Sequence, residues 1–553
     1  MKKIALLLAV VMVMAMAFTA CGGNSASTST APSTSTSAEG EAAGAVLNPT
    51  VDLTGVSTLD ICVGPDPDTI DPALNSSVDG GSLIVHAFEG LYTLNADATP
   101  VEGQAESVEV SEDGLVYTFK LRDGLKWSNG EDLTAEDFVY SWARAINPET
   151  AADYEYMFAP IKGYADGKLD VVAKDATTLV VTLNAPCAYF LELTAFPAYC
   201  PVNEKIIEEY GEAWAIEPDT YVGNGPYMMA EWVPGSHITY VKNENYWNVD
   251  ALGSDALKFV LMEDDTAILN AYQNGDILFA DQMPNDEIDA WSAKSDFYKE
   301  AQLGTYYVSF NVTKAPLDNA EFRKALILAV DRDNIVVNIG KSGQMPAGAF
   351  VPGSLSDAAE GSSFRDAGDY YNPNKEANAD NLAEAKAIIQ KLYPDGNVPA
   401  IEYLYNEGTG HQQVGEALQA DWAKIGVKVE IVSQEWATFL NTRKNGDYYI
   451  ARNGWLGDYN DPLTFLDMWM TGGGNNDAQW SNAEYDDLIN LAMNSSDRAE
   501  RYEAMHKAED LIFEDWMLCP LDYYVDIYLL NEKVDGFYSS PLGFKYFMYA
   551  TAK

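Results

Sequence analysis

The residues best suited to chemistry lie in Trp455-Leu456-Gly457-Asp458-Tyr459-Asn460-Asp461-Pro462. An aromatic ring, a lone acid and flexible glycine backbone after a strand-like run can hold a ligand's cationic group. A desolvated carboxylate supplies the charge, and an aromatic wall keeps competing water out. The same residues suit a surface Asx-turn, with Asp458 and Asp461 capping the helix that follows. Residue types leave both readings open. Catalysis fits less well. A glycoside hydrolase needs two carboxyls facing across a bond at about 5–9 Å. Two acids on one turn need not face each other, and no GxSxG nucleophile motif occurs. The histidines His86, His237, His411 and His506 lie far apart, with neither HExxH nor C-x-x-C. No local spacing suggests a metal, and no cofactor is expected.

Elements around this stretch must position it. The turn follows Tyr448-Tyr449-Ile450, a short strand bounded by Gly446 and Gly454, and Pro462 stops any continuation. From Thr58 onward strands alternate with helices, the pattern of α/β domains. Strands are expected at 59–64, 117–121, 257–262, 306–311, 401–405, 427–432 and 521–529. Helices are expected at 83–91, 138–146, 321–328, 382–392, 413–425 and 499–513. Thr134-Ala135-Glu136-Asp137 supplies a cap for the second helix. In the fourth, Leu382, Ala385, Ile389 and Leu392 keep the spacing of one buried face. The 553 residues exceed the roughly 250–300 at which single cores stop growing, so two or three domains are expected. Lys and Arg number 34 against 84 Asp and Glu, a net charge of −50. That balance excludes nucleic acid as a partner and electrostatic docking to anionic lipid.

Met1–Ala20 carries Lys2 and Lys3 before an apolar run, the form of a signal peptide too short to span a membrane. Phe18-Thr19-Ala20-Cys21-Gly22 resembles a bacterial lipobox, with Phe18 where Leu is preferred; it implies a lipid on Cys21 after cleavage. Residues 21–45 are rich in Ser, Thr, Ala and Gly and read as a flexible tether. Cys187 and Cys200 flank an apolar stretch and could pair in an oxidising compartment. Buried free thiols are the favoured reading for all four, Cys62 and Cys519 included.

Ser111–Val139 (SEDGLVYTFKLRDGLKWSNGEDLTAEDFV) resembles the signature of bacterial family 5 extracellular solute-binding proteins, the ligand receptors of peptide and nickel ABC importers. Phe88–Leu91, Val222–Tyr227 with Tyr246–Asn248, Asn319–Asn334 and Gln434–Leu440 match further family blocks in order. ARNGWLGDYNDP and the Tyr306–Tyr307 pair look most like the oligopeptide-binding branch. The resemblance implies a type II periplasmic-binding-protein fold: two α/β lobes closing around a cleft, with an extra domain on one lobe. One lobe would take 46–88, 208–303 and 526–553, the extra domain 89–207 and the other lobe 304–525. It also implies roles. Asp458 would meet a peptide's N-terminal ammonium, Arg452 a short peptide's C-terminal carboxylate and His411 that of longer peptides, with Lys341 as a second cation. Ser76–Val78 and Asn453, Gly454, Trp455 and Leu456 would pair with the peptide backbone as strands. Trp436, Trp455, Tyr306 and Tyr307 would wall the side-chain pockets. Some relatives join the cleft strands by a disulfide at the positions of Gly304 and Leu456, and both cysteines are absent here.

The function implied is a non-enzymatic receptor, expected to be monomeric. It would be held by lipid at the outer face of the cytoplasmic membrane and deliver oligopeptides to a membrane permease. The same fold could bind a nickel chelate, haem or an oligosaccharide instead. Replacing Cys21 by Ser should release the protein from the membrane fraction; continued membrane retention would count against the lipid anchor.

Overall fold

The computed structural model describes residues 44–553 apart from Glu360 and Thr409. The signal peptide, Cys21 and nearly all of the tether lie outside the described residues. No described helix is long and apolar enough to cross a membrane.

Strands and helices alternate as the sequence implies. After β1 (Thr58–Cys62), the short pair β2 (Tyr92–Leu94) and β3 (Pro100–Glu102) precedes a separate antiparallel sheet. That sheet holds β4 (Ala105–Val110), β5 (Val116–Leu121), β6 (Val171–Asp175) and β7 (Thr178–Thr182), in the order β4-β5-β7-β6. In β5 the alternation of Tyr117, Phe119 and Leu121 buries one face against Leu179 and Val181 of β7. The helix Ala135–Ala145 follows the expected cap at Thr134 but starts ahead of residue 138, so that Glu136 and Asp137 form its first turn, and the Asp137 carboxylate accepts from the Thr134 backbone N–H at 2.7 Å.

Apart from two short C-terminal pairs (Val534–Asp535 with Thr551–Ala552, and Tyr538–Ser539 with Lys545–Tyr546), the remaining strands join β1 in one eleven-stranded sheet. They are β8 (Tyr227–Val233), β9 (His237–Lys242), β10 (Ala256–Val260), β11 (Phe279–Ala280), β12 (Phe297–Phe310), β13 (Met345–Pro346), β14 (Ile401–Asn406), β15 (Val429–Gln434), β16 (Ile450–Leu456) and β17 (Leu518–Leu530). The order is β15-β14-β16-β12-β17-β11-β1-β10-β9-β8, with β13 on β17. The long strands β12 and β17 lie at its centre and run antiparallel to each other, with register irregularities between Ala301 and Thr305 and after Tyr306. A sequence pattern shows only the apolar second half of β12. The first half, Phe297–Gln302, is polar and largely exposed, and is a strand because β17 pairs with its backbone.

The two largest hydrophobic cores pack against these strands. One packs the helix Val78–Ala87, the small sheet and the helices Ala483–Asn494 and Arg498–Glu514. The other packs Ala320–Leu328, Asn378–Leu392 and His411–Ala423 against β12, β14 and β16. Ala385 and Ile389 are buried in that second core, with Leu382 and Leu392 against its margin, as their spacing implies. Cys62, Cys187, Cys200 and Cys519 are all buried free thiols, so the Cys187–Cys200 alternative is not realised.

Three expectations need correction. The first helix starts earlier, at Val78, because the Ser77 hydroxyl caps it by accepting from Gly80 N–H at 3.4 Å. It therefore ends at Ala87, ahead of Gly90. Ser77 is extended (φ −122°, ψ 151°) but Val78 is helical, so Ser76–Val78 is not a strand throughout. The strand near the chemistry-bearing turn is Ile450–Leu456, not Tyr448–Ile450. Gly454 lies inside it rather than bounding it: a Cβ there would stand 2.1 Å from the Tyr524 hydroxyl, so glycine admits the tyrosine.

Candidate functional site

The end of β16 opens on a cavity of about 400 Å³, within the range of ligand pockets. Asp458, Arg452, His411, Trp455, Trp436, Tyr306, Tyr307, Ser76, Val78, Asn453, Gly454 and Leu456 all line it. Lys341 does not. Its ammonium pairs with Asp286 at 3.0 Å, which also accepts from Gln413, and that ion pair takes it out of the role of a ligand-facing cation.

The two pattern readings of the turn divide between its two acids. Asp461 caps the 3-10 turn Pro462–Phe465 by accepting from Leu463 N–H at 3.0 Å, and both of its oxygens receive Arg501 at 2.7 Å. Asp458 caps nothing. It is buried at 9% exposure. Tyr154 donates to it at 3.3 Å and the Thr464 hydroxyl at 3.4 Å. No cation among the described residues pairs with it. Burial, and then the charge of Asp467, holds its carboxyl well above the usual carboxylate range; the two hydroxyls offset this in part. Asp467 is itself pushed up to about 7 by burial, against the hydrogen bond from Tyr459. The sequence reading missed Asp467, although a lone acid inside Leu463–Met470, otherwise apolar after Thr464, is a visible signal.

Arg452 is the complementary case. Four basic side chains, Arg443, Lys444, Arg452 and Lys545, line the cavity. Arg443 pairs with Asp477 at 2.6 Å, Lys444 with Asp153 at 2.5 Å, and Lys545 with Asp526 at 2.5 Å and Asp281 at 3.3 Å. Arg452 has no carboxylate partner among the described residues, and its buried Nε bonds to nothing. Its guanidinium lies 5.4 Å from the Tyr306 ring centre and 5.9 Å from that of Trp436, a cation–π setting. His411 is buried at the start of its helix, and Nδ1 meets the Tyr306 hydroxyl at 2.9 Å. Burial, then the nearby Arg452 charge, holds it well below the usual imidazole range, so it is neutral.

Between these groups β16 offers an open edge. β12 covers one side from Ile450 to Leu456, while β14 covers the other only at Ile450 and Ala451. Gly457 N–H donates to Leu303 at 2.8 Å, so by alternation Gly454 and Leu456 turn their backbone groups to the edge that β12 does not cover, where the Gly454 N–H donates to Asn453 Oδ1 at 2.8 Å. Gly304 and Leu456 are direct cross-strand partners. Leu456 Cδ2 takes the space of a Cβ on Gly304, at 2.3 Å, so packing holds this corner without a covalent link. Trp455 is fixed by its indole N–H to Thr464 O at 2.7 Å. Tyr307 is fully buried against Phe350 and Trp469, contributing more to the core than to the wall.

Comparison with known proteins places this site in a family. The match to "Bacterial extracellular solute-binding proteins, family 5 Middle" covers residues 99–477. The chain belongs to that family. It is 36% identical over 520 residues to the oligopeptide-binding protein OppA of Bacillus subtilis, covering 91% of this chain and 94% of that one. Among solved structures it matches Haemophilus influenzae OppA in complex with RPPGFSPFR at a TM-score of 0.85 and 30% identity, over 90% of this chain and 99% of that one. The Escherichia coli murein tripeptide binding protein MppA matches at 0.83 with 28% identity, over 92% and 99%. An unliganded open form of MppA matches at only 0.58, again with 28% identity, over 90% and 98%. The fold is thus the two-lobed type II α/β fold, in an arrangement unlike that open form.

The raised carboxyl of Asp458 has a consequence for pH. Binding an ammonium requires the anion, so affinity should weaken as pH falls through the raised value, well before an ordinary carboxylate titrates. Replacing Asp467 by Asn removes the charge that raises Asp458 and should move this loss to lower pH. Titrating affinity against pH in both proteins checks it; coincident profiles would mean that Asp467 does not act on Asp458.

Proposed function

We propose that the chain is the extracellular substrate-binding protein of an ABC importer, a receptor and not an enzyme, which captures oligopeptides and passes them to a membrane permease. The observation that carries this is one cavity holding an unpaired buried carboxylate and an unpaired guanidinium along one open strand edge. A peptide matches all three: ammonium to Asp458, carboxylate to Arg452, backbone to Gly454 and Leu456. Asp458 and Arg452 are separated by on the order of 20 Å of extended chain at about 3.3 Å per residue, which suits a short peptide. Neutral His411 beside Tyr306 would serve as a polar contact for longer ones. The OppA relatives named for oligopeptides support the same class.

Closure of the lobes belongs to this proposal. With the lobe limits expected from the sequence, β12 and β17 are the crossing strands. Asp286–Lys341 and the bond from Asn441 to Asp68 at 3.1 Å then join opposite lobes at the rim. Lys341 would act as a latch on the closed form. Export, a lipid on Cys21 and a monomeric receptor complete the reading.

Calorimetry with one peptide, free and N-acetylated, on wild type and Asp458→Asn tests it. Losing one partner of a buried pair costs roughly 3–5 kcal/mol, or about a hundred- to several-thousand-fold in affinity at 1.4 kcal/mol per decade. Acetylation should remove most wild-type binding and matter far less in the variant. Equal wild-type affinity for both peptides would overturn the assignment.

A further inference from the structure

One acid of the cavity has no task in capturing peptide termini. Asp522 lies on β17, opposite Tyr306 of β12 on one side and Pro346 of β13 on the other. It lines the same cavity as Asp458 and Arg452 and is only 7% exposed. No hydrogen bond or ion pair reaches its carboxylate among the described residues. Buried acids are kept in proteins when they are paired or bonded. Three other cavity acids do have a cation: Asp477 has Arg443, and Asp526 and Asp281 share Lys545.

The groups that face Asp522 cannot replace a partner. The Tyr306 hydroxyl on β12 is engaged with His411 Nδ1, and Pro346 on β13 has no N–H. On its own strand Tyr524 stands at Gly454, and Asp526 is taken by Lys545. Arg452 is set against the same two tyrosines, yet it does not lower Asp522. Ser342 and Gln344 are further polar residues of the cavity lining.

We propose that Asp522 receives a basic side chain of the bound peptide, so that the protein favours peptides carrying lysine or arginine at one fixed position. This rests on the peptide reading above. That reading uses the cavity's terminus-binding groups, whereas Asp522 adds a preference among side chains. An aliphatic stem passing the Tyr306 and Tyr524 rings, with its ammonium on Asp522, gives apolar contact along the chain and charge at the end.

The empty site also sets a proton signature. Burial pushes the Asp522 carboxyl up to about 8, so at pH 7 it is mostly protonated. A lysine ammonium stabilises the anion, and the displaced proton leaves for solvent. Any proton released at Asp458 is common to all the peptides, so the difference between peptides isolates Asp522.

The test is calorimetry at pH 7 in two buffers of different ionisation enthalpy. The probes are alanine peptides of three to five residues, with lysine or its uncharged isostere norleucine moved through each position. At one position lysine should bind about tenfold or more tighter than norleucine, since a buried pair gains more than it loses only with good geometry. It should also release close to one more proton, and both differences should vanish in Asp522→Asn. Equal affinity for lysine and norleucine at every position in wild type overturns the role of Asp522 and leaves peptide binding standing. A lysine preference that persists in Asp522→Asn assigns the basic side chain elsewhere and overturns it too. If no peptide of the set binds, the peptide reading fails, and this inference with it.

Discussion

A carboxylate sealed from water without a cation is costly, and Asp458 is such a group. Much of the site's construction serves to hold it there. Tyr154 and Thr464 supply hydroxyls too long and too few to replace hydration, at 3.3 and 3.4 Å. Asp467 behind it adds a like charge, and Asp461, which could have competed for a cation, is already occupied by Arg501. The cavity is therefore electrostatically incomplete until something positive enters. Arg452 makes the same demand with the opposite sign. A ligand that satisfies both must carry two opposite charges, and the strand edge between them asks for a peptide backbone.

The sheet makes this incompleteness useful. β12 and β17 lie at its centre, and the functional strand β16 is held to β12 along its whole length. Short paired ions and packed corners such as Gly304 against Leu456 fix the wall rigidly. The charge left over then has little freedom to find an internal partner.

Much of the fold was legible because it depends on local periodicity. The alternation in β5, the capped helix at Thr134 and the buried face of Asn378–Leu392 all follow from side-chain spacing. The first half of β12 was not legible, since its polar residues are strand only through pairing with β17. Gly454 misled for a related reason: glycine reads as a boundary, yet here it admits the Tyr524 hydroxyl from a strand distant in sequence. Site residue types were visible, but partnership was not. Nothing in the sequence distinguishes Arg452, left unpaired, from Arg443, paired to Asp477. Nor could it show that Lys341 is spent on Asp286 or that Asp522 has no partner.

If uncompensated charge governs the cleft, the closed form should be populated only when a ligand supplies the missing ions. Small-angle X-ray scattering of ligand-free protein, before and after saturation with a free-terminus peptide, tests this directly. The account predicts a larger radius of gyration without ligand and contraction on adding peptide. The same compact radius in both states would contradict it, because the buried charges would then close the cleft without a partner.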